Sequence, residues 1–448
     1  MEKIRLFDSF AGIGALHKAL TQLGVNVELV GMSEVDSDAI ISYGSVHGLN
    51  LENIPVLTKQ KMIEHLERMN VGFDFNTQKN KVAKLKTEKI EKLYKTCIAT
   101  NNYGDISKIN PNELPDFDLF NFSFCCQDIS ISGCKKGLKD DDGNLTRSGL
   151  YVYGINILKV KKPKYVMLEN VKNLIGTKFI NDFYNIVSEL ESIGYNCCYP
   201  KNDKGNPACL NAKDFGVPQN RERIFVICIR KDVDDGNFEF PKPLNIETKI
   251  KDILEPVVDD KYYLNKALNM KMKSKYIQYD NSGKGYESQA ARLYYTDSAM
   301  GSLPYRNAGD KTQIIEKEKC QLKQESINNV DYVKGLGCIK RIGGLFDTEN
   351  RKREAGAVFD SNGFSPTLNT MQGGYRQPII NTSTDEFKLR KLTPTECWRL
   401  MGFSKEECVK ARSVGISDSQ LYKQAGNSIV VNVLYHIFKN LFYHGDKS

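Results

Sequence analysis

The sequence lacks the features that mark several common classes of protein. It has no C-x-x-C pair, and its five histidines (17, 47, 65, 436 and 444) stand apart from its 12 cysteines, so the spacing of a structural zinc site is missing. No run of 18 apolar residues predicts a membrane span. The chain opens on MEKIRLFDSF, without the apolar core of a signal peptide. We therefore expect a cytoplasmic protein without a metal site, in which most cysteines are reduced, small, buried side chains.

The chain is long and apolar enough to fold into more than one domain. Its 448 residues are 40% hydrophobic, which predicts two or three domains with sizeable cores and excludes global disorder. The formal net charge is +8 and the isoelectric point is about 8.7. This modest basic bias is compatible with a polyanionic partner but does not by itself indicate one.

Short apolar strands alternate with amphipathic helices through the first half of the chain. The strand KIRLF runs into a glycine turn and a helix, DSFAGIGALHKALTQLG, and the strand VELVGMSE follows. Further buried strands are expected at 118–124, 164–170, 195–199 and 223–230, with a helix at 181–194 that ends on a glycine. This rhythm predicts an α/β fold with a doubly wound, mostly parallel sheet that is covered by helices on both faces.

A lysine-rich segment interrupts this rhythm at about residues 57–97. Its pieces TKQKMIEHLERMN and KVAKLKTEKIEKLYK are helix-forming. Two interpretations stay open: a solvated helical insertion, or an auxiliary surface that contacts nucleic-acid phosphates.

The composition changes after about residue 242, where the prolines of FPKPLNIETK mark a boundary. The following residues are rich in Tyr, Lys, Gly, Asn and Ser, with short strand patterns and frequent turn signals. TPTECWRLMGF then predicts a helix that is capped by Thr393 and has Pro394 in its first position. The last apolar helix, NSIVVNVLYHIFKNLFY, is expected to dock on a core.

A glycine turn follows the first strand, at Phe10-Ala11-Gly12-Ile13-Gly14. Glycines there let the backbone approach a ligand closely. Glu34 ends the next strand, and a carboxylate in that place can accept hydrogen bonds from ribose hydroxyls. A dinucleotide site needs a third glycine where this chain has His17. The pattern favours a nucleoside-bearing ligand without a pyrophosphate, and an ordinary tight turn is the alternative.

Polar and reactive residues follow the other predicted strands as well. These residues are Asp105, Ile106, Cys125, Cys126, Gln127, Glu169 and Asn170. Arg221 and Arg223 alternate just ahead of the strand at 223–230. Ligands of doubly wound sheets bind beyond the carboxyl ends of the strands, so one rim is expected to gather a thiol, carboxyl groups and guanidinium groups. The guanidiniums could fix an anionic or carbonyl-bearing substrate, whereas in isolation two solvated arginines would be the simpler interpretation.

In their order along the chain, nine motifs resemble those of the DNA cytosine C5-methyltransferases that use S-adenosylmethionine. The motifs are DSFAGIGALHKAL, SEVD, YGDI, FSFCCQDIS, LTRSGLYVY, MLENVKNL, FGVPQNRERIFVI, RKLTPTECWRLMGF and QAGNSIVVNVL. Their order and spacing make the resemblance specific, and it covers most of the chain outside the insertion and residues 245–360. It implies a Rossmann-like methyltransferase fold with a second, smaller target-recognition domain.

The resemblance divides the chain into two domains. Residues 1–244 and 410–448 would form the catalytic and cofactor-binding domain, and residues 245–409 the target-recognition domain. The segment SPTLNTMQGGYRQP (365–378) resembles the end of that second domain in the family. Lysine contacts to phosphates in this domain would make DNA binding depend on salt.

The resemblance also assigns a binding site for S-adenosylmethionine. The methionine end and sulfonium would be held by Phe10, Gly12, Ile13 and Gly14. Glu34 would bind the ribose, Val35 and Ile106 would flank the adenine, and Asp105 would accept a hydrogen bond from its amino group. Two residues would return to this pocket from the C-terminal region, Asn427 and Ser428.

The same resemblance implies that a cysteine attacks the target cytosine. The nucleophile would be Cys126, the cysteine immediately before the glutamine. Glu169 would bind N3 and the amino group of the cytosine and Arg223 its O2, while Arg221 and Arg223 together would favour the thiolate. Contacts to DNA would come from Gln127, Ser130, Gln219, Gly373 and Gly374.

The chain departs from the family at Cys125, where a proline is normal. Proline fixes φ at about −65° and removes a donor, so it stiffens a loop. Cys125 does neither. A weakly active, DNA-binding homologue is therefore one alternative to an active enzyme.

The predicted function is transfer of a methyl group from S-adenosylmethionine to C5 of a flipped-out cytosine in a specific double-stranded DNA sequence, through a covalent adduct with Cys126. We expect a monomer, encoded by a prokaryote or a phage, that acts in restriction–modification or phage self-protection. A cognate restriction endonuclease encoded nearby would fit this context, with no direct contact implied.

Two alternatives use a different substrate or a different reaction. The first is a methyltransferase that acts on RNA, as the branch of the family that modifies transfer RNA does. The second is a nicotinamide oxidoreductase, which the missing third glycine disfavours. An adenine-N6 methyltransferase is disfavoured because the sequence has no Asn/Asp-Pro-Pro-aromatic motif.

Overall fold

The structure is a computed structural model that describes most of the chain outside the predicted target-recognition domain. The described residues are 2–74, 77–124, 129, 138, 146, 148–244, 246, 248–263, 277–278, 292–293, 331–332, 340–344, 357–361, 363–368, 370, 377–381 and 389–443. The strands are β1 (Ile4–Ser9), β2 (Val27–Ser33), β3 (Phe73–Asp74), β4 (Lys79–Asn80), β5 (Leu119–Phe122), β6 (Tyr165–Val171), β7 (Tyr195–Cys198), β8 (Leu210–Asn211), β9 (Gln219–Asn220), β10 (Glu222–Arg230), β11 (Ile277–Gln278), β12 (Arg292–Leu293), β13 (Asp331–Tyr332), β14 (Lys340–Gly344), β15 (Ala357–Asp360), β16 (Ser365–Pro366), β17 (Ile379–Asn381) and β18 (Leu389–Lys391). The helices are α1 (Ala15–Gln22), α2 (Ser37–Val46), α3 (Lys59–Arg68), α4 (Thr87–Ala99), α5 (Tyr151–Lys161), α6 (Ile180–Ile193), α7 (Pro394–Arg399), α8 (Lys405–Ser413), α9 (Asp418–Asn427) and α10 (Val431–Phe442).

A seven-stranded sheet forms the centre of the fold, in the order β2-β1-β5-β6-β10-β7 with β8 paired to β10. The strands β2, β1, β5 and β6 run parallel to one another, as predicted. β10 instead runs antiparallel to β6, β7 and β8. A parallel return needs a long crossover, usually a helix, and the described stretch between β7 and β10 contains only short strands and a 3-10 turn at Ala212–Phe215. The α/β fold with helices around a mixed sheet is confirmed, and the direction of β10 is the difference.

Helices cover both faces of this sheet. Leu6 of β1 packs into one hydrophobic core with side chains of α1 and α10, while its neighbour Phe7 packs into a second core with side chains of α5 and α6. Successive strand residues point to opposite faces, so a strand that is apolar throughout must be covered on both sides. Full burial of each such side chain contributes about 1.5–3 kcal/mol. These two cores fix the strand ends where the site forms.

Two helix ends follow the capping signals in the sequence. α6 ends at Gly194, which takes the left-handed conformation with φ of 118°. α7 begins after Thr393, whose Oγ1 accepts from the N–H of Glu396 while the Glu396 carboxylate accepts from the N–H of Thr393. Both predicted ends are confirmed. No helix in the described part of the chain is long and apolar enough to cross a membrane.

The predicted division between residues 409 and 410 falls inside α8. Trp398 of α7 is fully buried and donates from Nε1 to the carbonyl of Leu421, at 3.0 Å, in α9. The helices on both sides of the division therefore share one core, and residue 409 does not separate two folding units. A separate sheet, β13-β14-β15-β17-β18, lies within the predicted target-recognition domain. The two-domain organisation itself stays a prediction.

One pair of cysteines differs from the expectation of reduced thiols. Cys197 of β7 and Cys228 of β10 occupy facing positions in the antiparallel register and are joined by a disulfide. Among the described residues, five other cysteines are in no disulfide, and three of these are buried: Cys97, Cys397 and Cys408. The prediction of small, buried cysteines therefore holds for these three.

Candidate active site

The glycine turn after β1 has an unusual backbone. Phe10, Gly12 and Gly14 all have positive φ, at 53°, 55° and 79°. A Cβ on Gly14 would lie 2.2 Å from Nε2 of His47, so only glycine lets α1 pack this closely on α2. A Cβ on Gly12 would meet nothing within 4 Å. The turn is therefore packed on one side at Gly14 and open at Gly12, and the conformation of Phe10 is one that L residues rarely adopt.

The carboxylate of Glu34 fastens this turn to the end of β2. Its Oε2 accepts from the N–H of Gly12 at 2.8 Å, and its Oε1 accepts from the N–H groups of Val35 and Asp36 at 2.8 Å each. Burial raises the pKa of Glu34 and the charge of Asp36 adds to this, while the three backbone donors act in the opposite direction. A carboxylate has about four acceptor positions, so one on Oε2 remains for a ligand hydroxyl.

Asn102 is a functional position that sequence reasoning missed. Its Oδ1 accepts from the N–H groups of Glu34 and Gly104, and its Nδ2 donates to the carbonyl of Glu34 at 3.0 Å. The side chain is buried, with 6% exposure. It holds the end of β2 against the turn that carries Asp105. An asparagine at this place in NNYGDI would be expected to bond only to nearby backbone, as Asn102 does with Gly104. Its bond to Glu34, 68 residues away, could not be predicted from the sequence.

Asp105 caps a short 3-10 turn at Ile106–Lys108. Its Oδ1 accepts from the N–H and the hydroxyl of Ser107, and its Oδ2 accepts from Nδ2 of Asn70 at 2.8 Å. Asp105 and Ile106 are 7% and 3% exposed. Asp105 does not follow a strand as predicted, because only an isolated bridge joins Asn102 to Met32 of β2. Asn102 instead links Glu34 to the turn that carries Asp105.

The C-terminal region returns to the same rim. Lys423 of α9 pairs with Asp36, with Nζ 2.6 Å from Oδ2, and Gln424 accepts from the hydroxyl of Ser42 in α2. Asn427 is the exposed last residue of α9, and Ser428 caps it with 8% exposure. The helix that ends at the predicted pair therefore lies beside the loop that follows Glu34.

A second group of residues lies at the ends of β6 and β10. Nε of Arg223 lies 3.0 Å from Oε1 of Glu169, and both side chains are largely buried, with 16% and 12% exposure. Burial raises the pKa of Glu169, and the charges of Arg223 and Arg221 oppose that shift. The pair therefore offers a carboxyl that takes up a proton more readily than an exposed glutamate, next to a fixed cation.

The chain that leads to the predicted nucleophile is anchored to this pair. The hydroxyl of Ser123 accepts from the N–H of Glu169 at 3.2 Å, and Asn170 donates from Nδ2 to the carbonyl of Phe124 at 3.2 Å. After the segment, the fully buried residue Ile129 accepts at its carbonyl from Nδ2 of Asn173. Both flanks of the segment that contains Cys126 are thus fixed to β6 and the turn after it. Several predicted site residues lie outside the described residues: Cys125, Cys126, Gln127, Ser130, Gly373 and Gly374.

Arg221 and Gln219 are held inside the protein. The guanidinium of Arg221, 4% exposed, donates to the main-chain carbonyls of Leu368, Gly426 and Ser428. Gln219 is fully buried, donates to the carbonyl of Leu400 at 2.7 Å and accepts from the N–H of Leu368 at 3.1 Å. These positions do not favour the predicted contacts of Arg221 with substrate or of Gln219 with DNA, although the charge of Arg221 still acts on Glu169.

An acid at the end of β2 that is bonded to the glycine turn, with a second, largely buried carboxyl on β6, is typical of α/β enzymes that bind a nucleoside-bearing ligand at this rim. The family comparison makes this specific, because residues 61–443 match the family model described as C-5 cytosine-specific DNA methylase. The chain belongs to this family and is a DNA cytosine-5 methyltransferase. This confirms the resemblance seen in the motifs and excludes the nicotinamide oxidoreductase.

Individual relatives agree over nearly the full chain. The type II methyltransferase M2.ScrFI of Lactococcus lactis subsp. cremoris is 34% identical over 98% of this chain and 99% of its own length. The orphan methyltransferase M.Rho11sI of Bacillus phage rho11s is 30% identical over 99% and 98%. The type II methyltransferase M.HhaI of Haemophilus parahaemolyticus is 29% identical over 78% of this chain and 84% of its own.

Solved structures share the fold at low identity. The chain resembles the Dnmt2 methyltransferase of S. pombe with a TM-score of 0.52 at 16% identity, over 98% of both chains. It resembles the methyltransferase EhMeth of Entamoeba histolytica with a TM-score of 0.53 at 16% identity, over 99% and 98%. At this identity the similarity supports the α/β fold alone.

Proposed function

We propose that this enzyme transfers the methyl group of S-adenosylmethionine to C5 of a cytosine that is flipped out of a specific double-stranded DNA sequence. The observation that carries the proposal is the buried Glu169–Arg223 pair, at 3.0 Å, beside the two anchored flanks of the segment that contains Cys126. A base inside a duplex cannot reach a buried pair of this kind, so the target must leave the stack.

The residues of the cofactor side fit S-adenosylmethionine. Glu34 keeps one acceptor position for a ribose hydroxyl, and the space beside Gly12 is open to a ligand. Asp105 would accept from the adenine amino group, between Val35 and Ile106. The remaining contacts of the methionine end and the pocket rim would come from Phe10, Ile13, Gly14, Asn427 and Ser428. When bound, the cofactor supplies an electrophilic methyl group.

The base-side residues can activate a carbon that is otherwise a poor nucleophile. The thiolate of Cys126 adds to C6 of the cytosine, a proton on Glu169 moves to N3, and the ring becomes enamine-like at C5. Arg223 holds the O2 carbonyl. Burial raises the pKa of Glu169, which favours the protonated form that this step needs. After methylation a base removes the C5 proton, the electrons reform the C5–C6 double bond as the thiolate leaves, and the proton on N3 returns to Glu169.

The proposed cellular context is supported by the relatives, which include type II methyltransferases and an orphan methyltransferase of a phage. We propose that the protein acts in the cytoplasm as a monomer on duplex DNA, in restriction–modification or phage self-protection. In the first case a cognate endonuclease would be encoded nearby. No described contact favours RNA over DNA.

The proposal is tested by expressing the chain in a bacterial host that lacks cytosine methylation and sequencing the genome for 5-methylcytosine. We expect one short sequence to be methylated at C5 in the host genome, and a Cys126→Ala variant to leave it unmethylated. Purified enzyme with tritium-labelled cofactor should label duplex DNA and not RNA. Label that appears only in RNA would overturn the proposed substrate.

A further inference from the structure

The lysine-rich insertion contains the residue that holds Asp105. α3 ends at Arg68, and the chain then turns through Asn70, which has a positive φ of 60°. Asn70 donates from Nδ2 to Oδ2 of Asp105 at 2.8 Å, across 35 residues of sequence. The insertion thus reaches the cofactor side of the site.

Main-chain bonds hold this turn between Val35 and Asp105. The N–H of Gly72 donates to the carbonyl of Val35 at 2.8 Å, and the N–H of Asp105 donates to the carbonyl of Met69 at 2.9 Å. A Cβ on Gly104, whose φ is 69°, would lie 2.1 Å from the carbonyl oxygen of Met69, so the two segments touch along their backbones. The turn of the insertion therefore packs directly against Val35 and Asp105, two residues of the predicted adenine site.

The lysines of the insertion are partly neutralised by nearby acids. Lys81 pairs with Asp74, Lys89 with Asp38, and Lys95 with Glu91. Such pairs at the surface contribute little to stability, but they lower the local charge that this surface presents to phosphates. They involve three of the nine lysines of the insertion, so they do not distinguish between its two interpretations.

We propose that Asn70 is a positioning residue that orients the carboxylate of Asp105 toward the adenine amino group of the cofactor. This rests on the proposed role of Asp105. The terminal torsion of an aspartate is broad, so a carboxylate that is bonded on one oxygen only can rock. Here Oδ1 is bonded by Ser107 and Oδ2 by Asn70, and both oxygens are fixed while Oδ2 keeps a further acceptor position.

The substitution Asn70→Gly removes the amide and tolerates the positive φ. Asn101→Gly is a matched control, because Asn101 also has a positive φ, of 46°, but donates to the carbonyl of Val30 and not to Asp105. Asn70→Asp is a second variant that keeps the side-chain shape and faces Asp105 with an acceptor in place of a donor. Thermal unfolding shows whether each variant is folded.

The readout is the binding of S-adenosylhomocysteine and of its inosine analogue, which has a carbonyl where adenine has the amino group, measured by titration calorimetry on the full chain. We expect Asn70→Gly to weaken binding of the adenosine form about 5–10-fold, with little change for the inosine form, so the preference falls by the same factor. A steady-state assay should show this as a higher KM for the methyl donor at similar kcat. Asn101→Gly should leave the preference unchanged.

Equal weakening of both ligands, or no change in their ratio, would overturn the role of Asn70. If Asn70→Gly is unfolded, the test uses Asn70→Asp instead. In this variant the preference for the adenosine form over the inosine form should fall. It should recover at lower pH, where a proton shared between the two facing carboxyls restores a donor. The variant Asp105→Asn separates the two proposals. If it leaves the preference intact, the proposed role of Asp105 fails. If it removes the preference while the Asn70 variants keep it, the role of Asn70 alone fails.

Discussion

The two halves of the site are held together in different ways. On the cofactor side, backbone groups do most of the bonding: the carboxylate of Glu34 accepts three main-chain N–H bonds, and positive φ angles shape the turn at Gly12. On the base side, a few side chains carry the geometry, led by the Glu169–Arg223 pair. On the cofactor side the ligand would be bound by many backbone groups, each contributing a little. On the base side a few side chains would make most of the contacts with the target base. We therefore expect single substitutions on the base side to have the larger effects on the reaction.

The largest expected effect is at the nucleophile. Cys126→Ala should abolish product, because no other thiol would add to C6. Cys125→Ala should keep activity within about one order of magnitude, which is about 1.4 kcal/mol of barrier. Initial rates of methyl transfer to DNA measure both. Equal losses in the two variants would show that the assignment of the nucleophile to one cysteine is wrong.

Glu169→Gln should lower the single-turnover rate about 10²–10⁴-fold, the usual size of a general-acid contribution. The amide can hydrogen-bond to the base but cannot give a proton to N3. Glu222→Gln is the control, since Glu222 of β10 pairs with the largely exposed Lys172 in the turn after β6. Rapid-quench kinetics with saturating DNA measure the step, and an unchanged rate in Glu169→Gln would remove Glu169 from the chemistry.

Substitutions of Arg221 and Arg223 should affect stability and activity to different extents. Arg221→Ala leaves three main-chain carbonyls without their donor and opens a cavity, so it should lower the free energy of unfolding by about 3–5 kcal/mol. Arg223→Ala should cost less stability and more activity, because its main partner is Glu169. Urea unfolding and methyl-transfer rates, taken on both variants, give the comparison. Matching profiles would mean that the two positions do not differ in role.

The smallest expected effect is on the cofactor side, at Asp8. Its carboxylate is fully buried beneath the glycine turn and accepts from Nδ2 of Asn121, and burial raises its pKa from 3.8 to about 7. The folded state thus binds the proton more tightly than the unfolded state, so this contribution to stability is full below about pH 4 and is lost as the pH rises toward about 7.

The free energy of unfolding of the native chain should decrease between pH 5 and pH 8 as Asp8 loses its proton. In Asp8→Asn this decrease should be smaller by about 2 kcal/mol. Urea unfolding at the two pH values measures it, with the exposed Asp203→Asn as the control. A slope that stays as steep as that of the native chain would show that Asp8 is charged throughout this range.

Local patterns in the sequence predicted much of the fold. The strand that ends at Glu34, the glycine turn, the helix stop at Gly194 and the cap at Thr393 each depend on residues within a few positions of one another. The antiparallel course of β10 and the helix that crosses residue 409 depend instead on tertiary packing. Periodicity cannot encode either of them.

The same distinction applies to the site. Glu34 and Glu169 could be located because each stands at a strand end. The positions of Asn70, Asn102 and Arg221 depend on partners 35, 68 and up to 207 residues away. An asparagine or arginine that bonds to distant main chain looks in sequence like any surface residue, so its role emerges only from the folded arrangement.

The most direct test of the account is to trap the covalent intermediate. Duplex DNA in which 5-fluorocytosine replaces cytosine, drawn from fragments of many sequences, is incubated with enzyme and S-adenosylmethionine. Fluorine at C5 cannot be removed as a proton is, so the thiol cannot leave the ring. We predict a complex that survives denaturation and whose DNA-bound peptide contains Cys126, as read by mass spectrometry. Absence of an adduct, or an adduct on a different residue, would contradict the account.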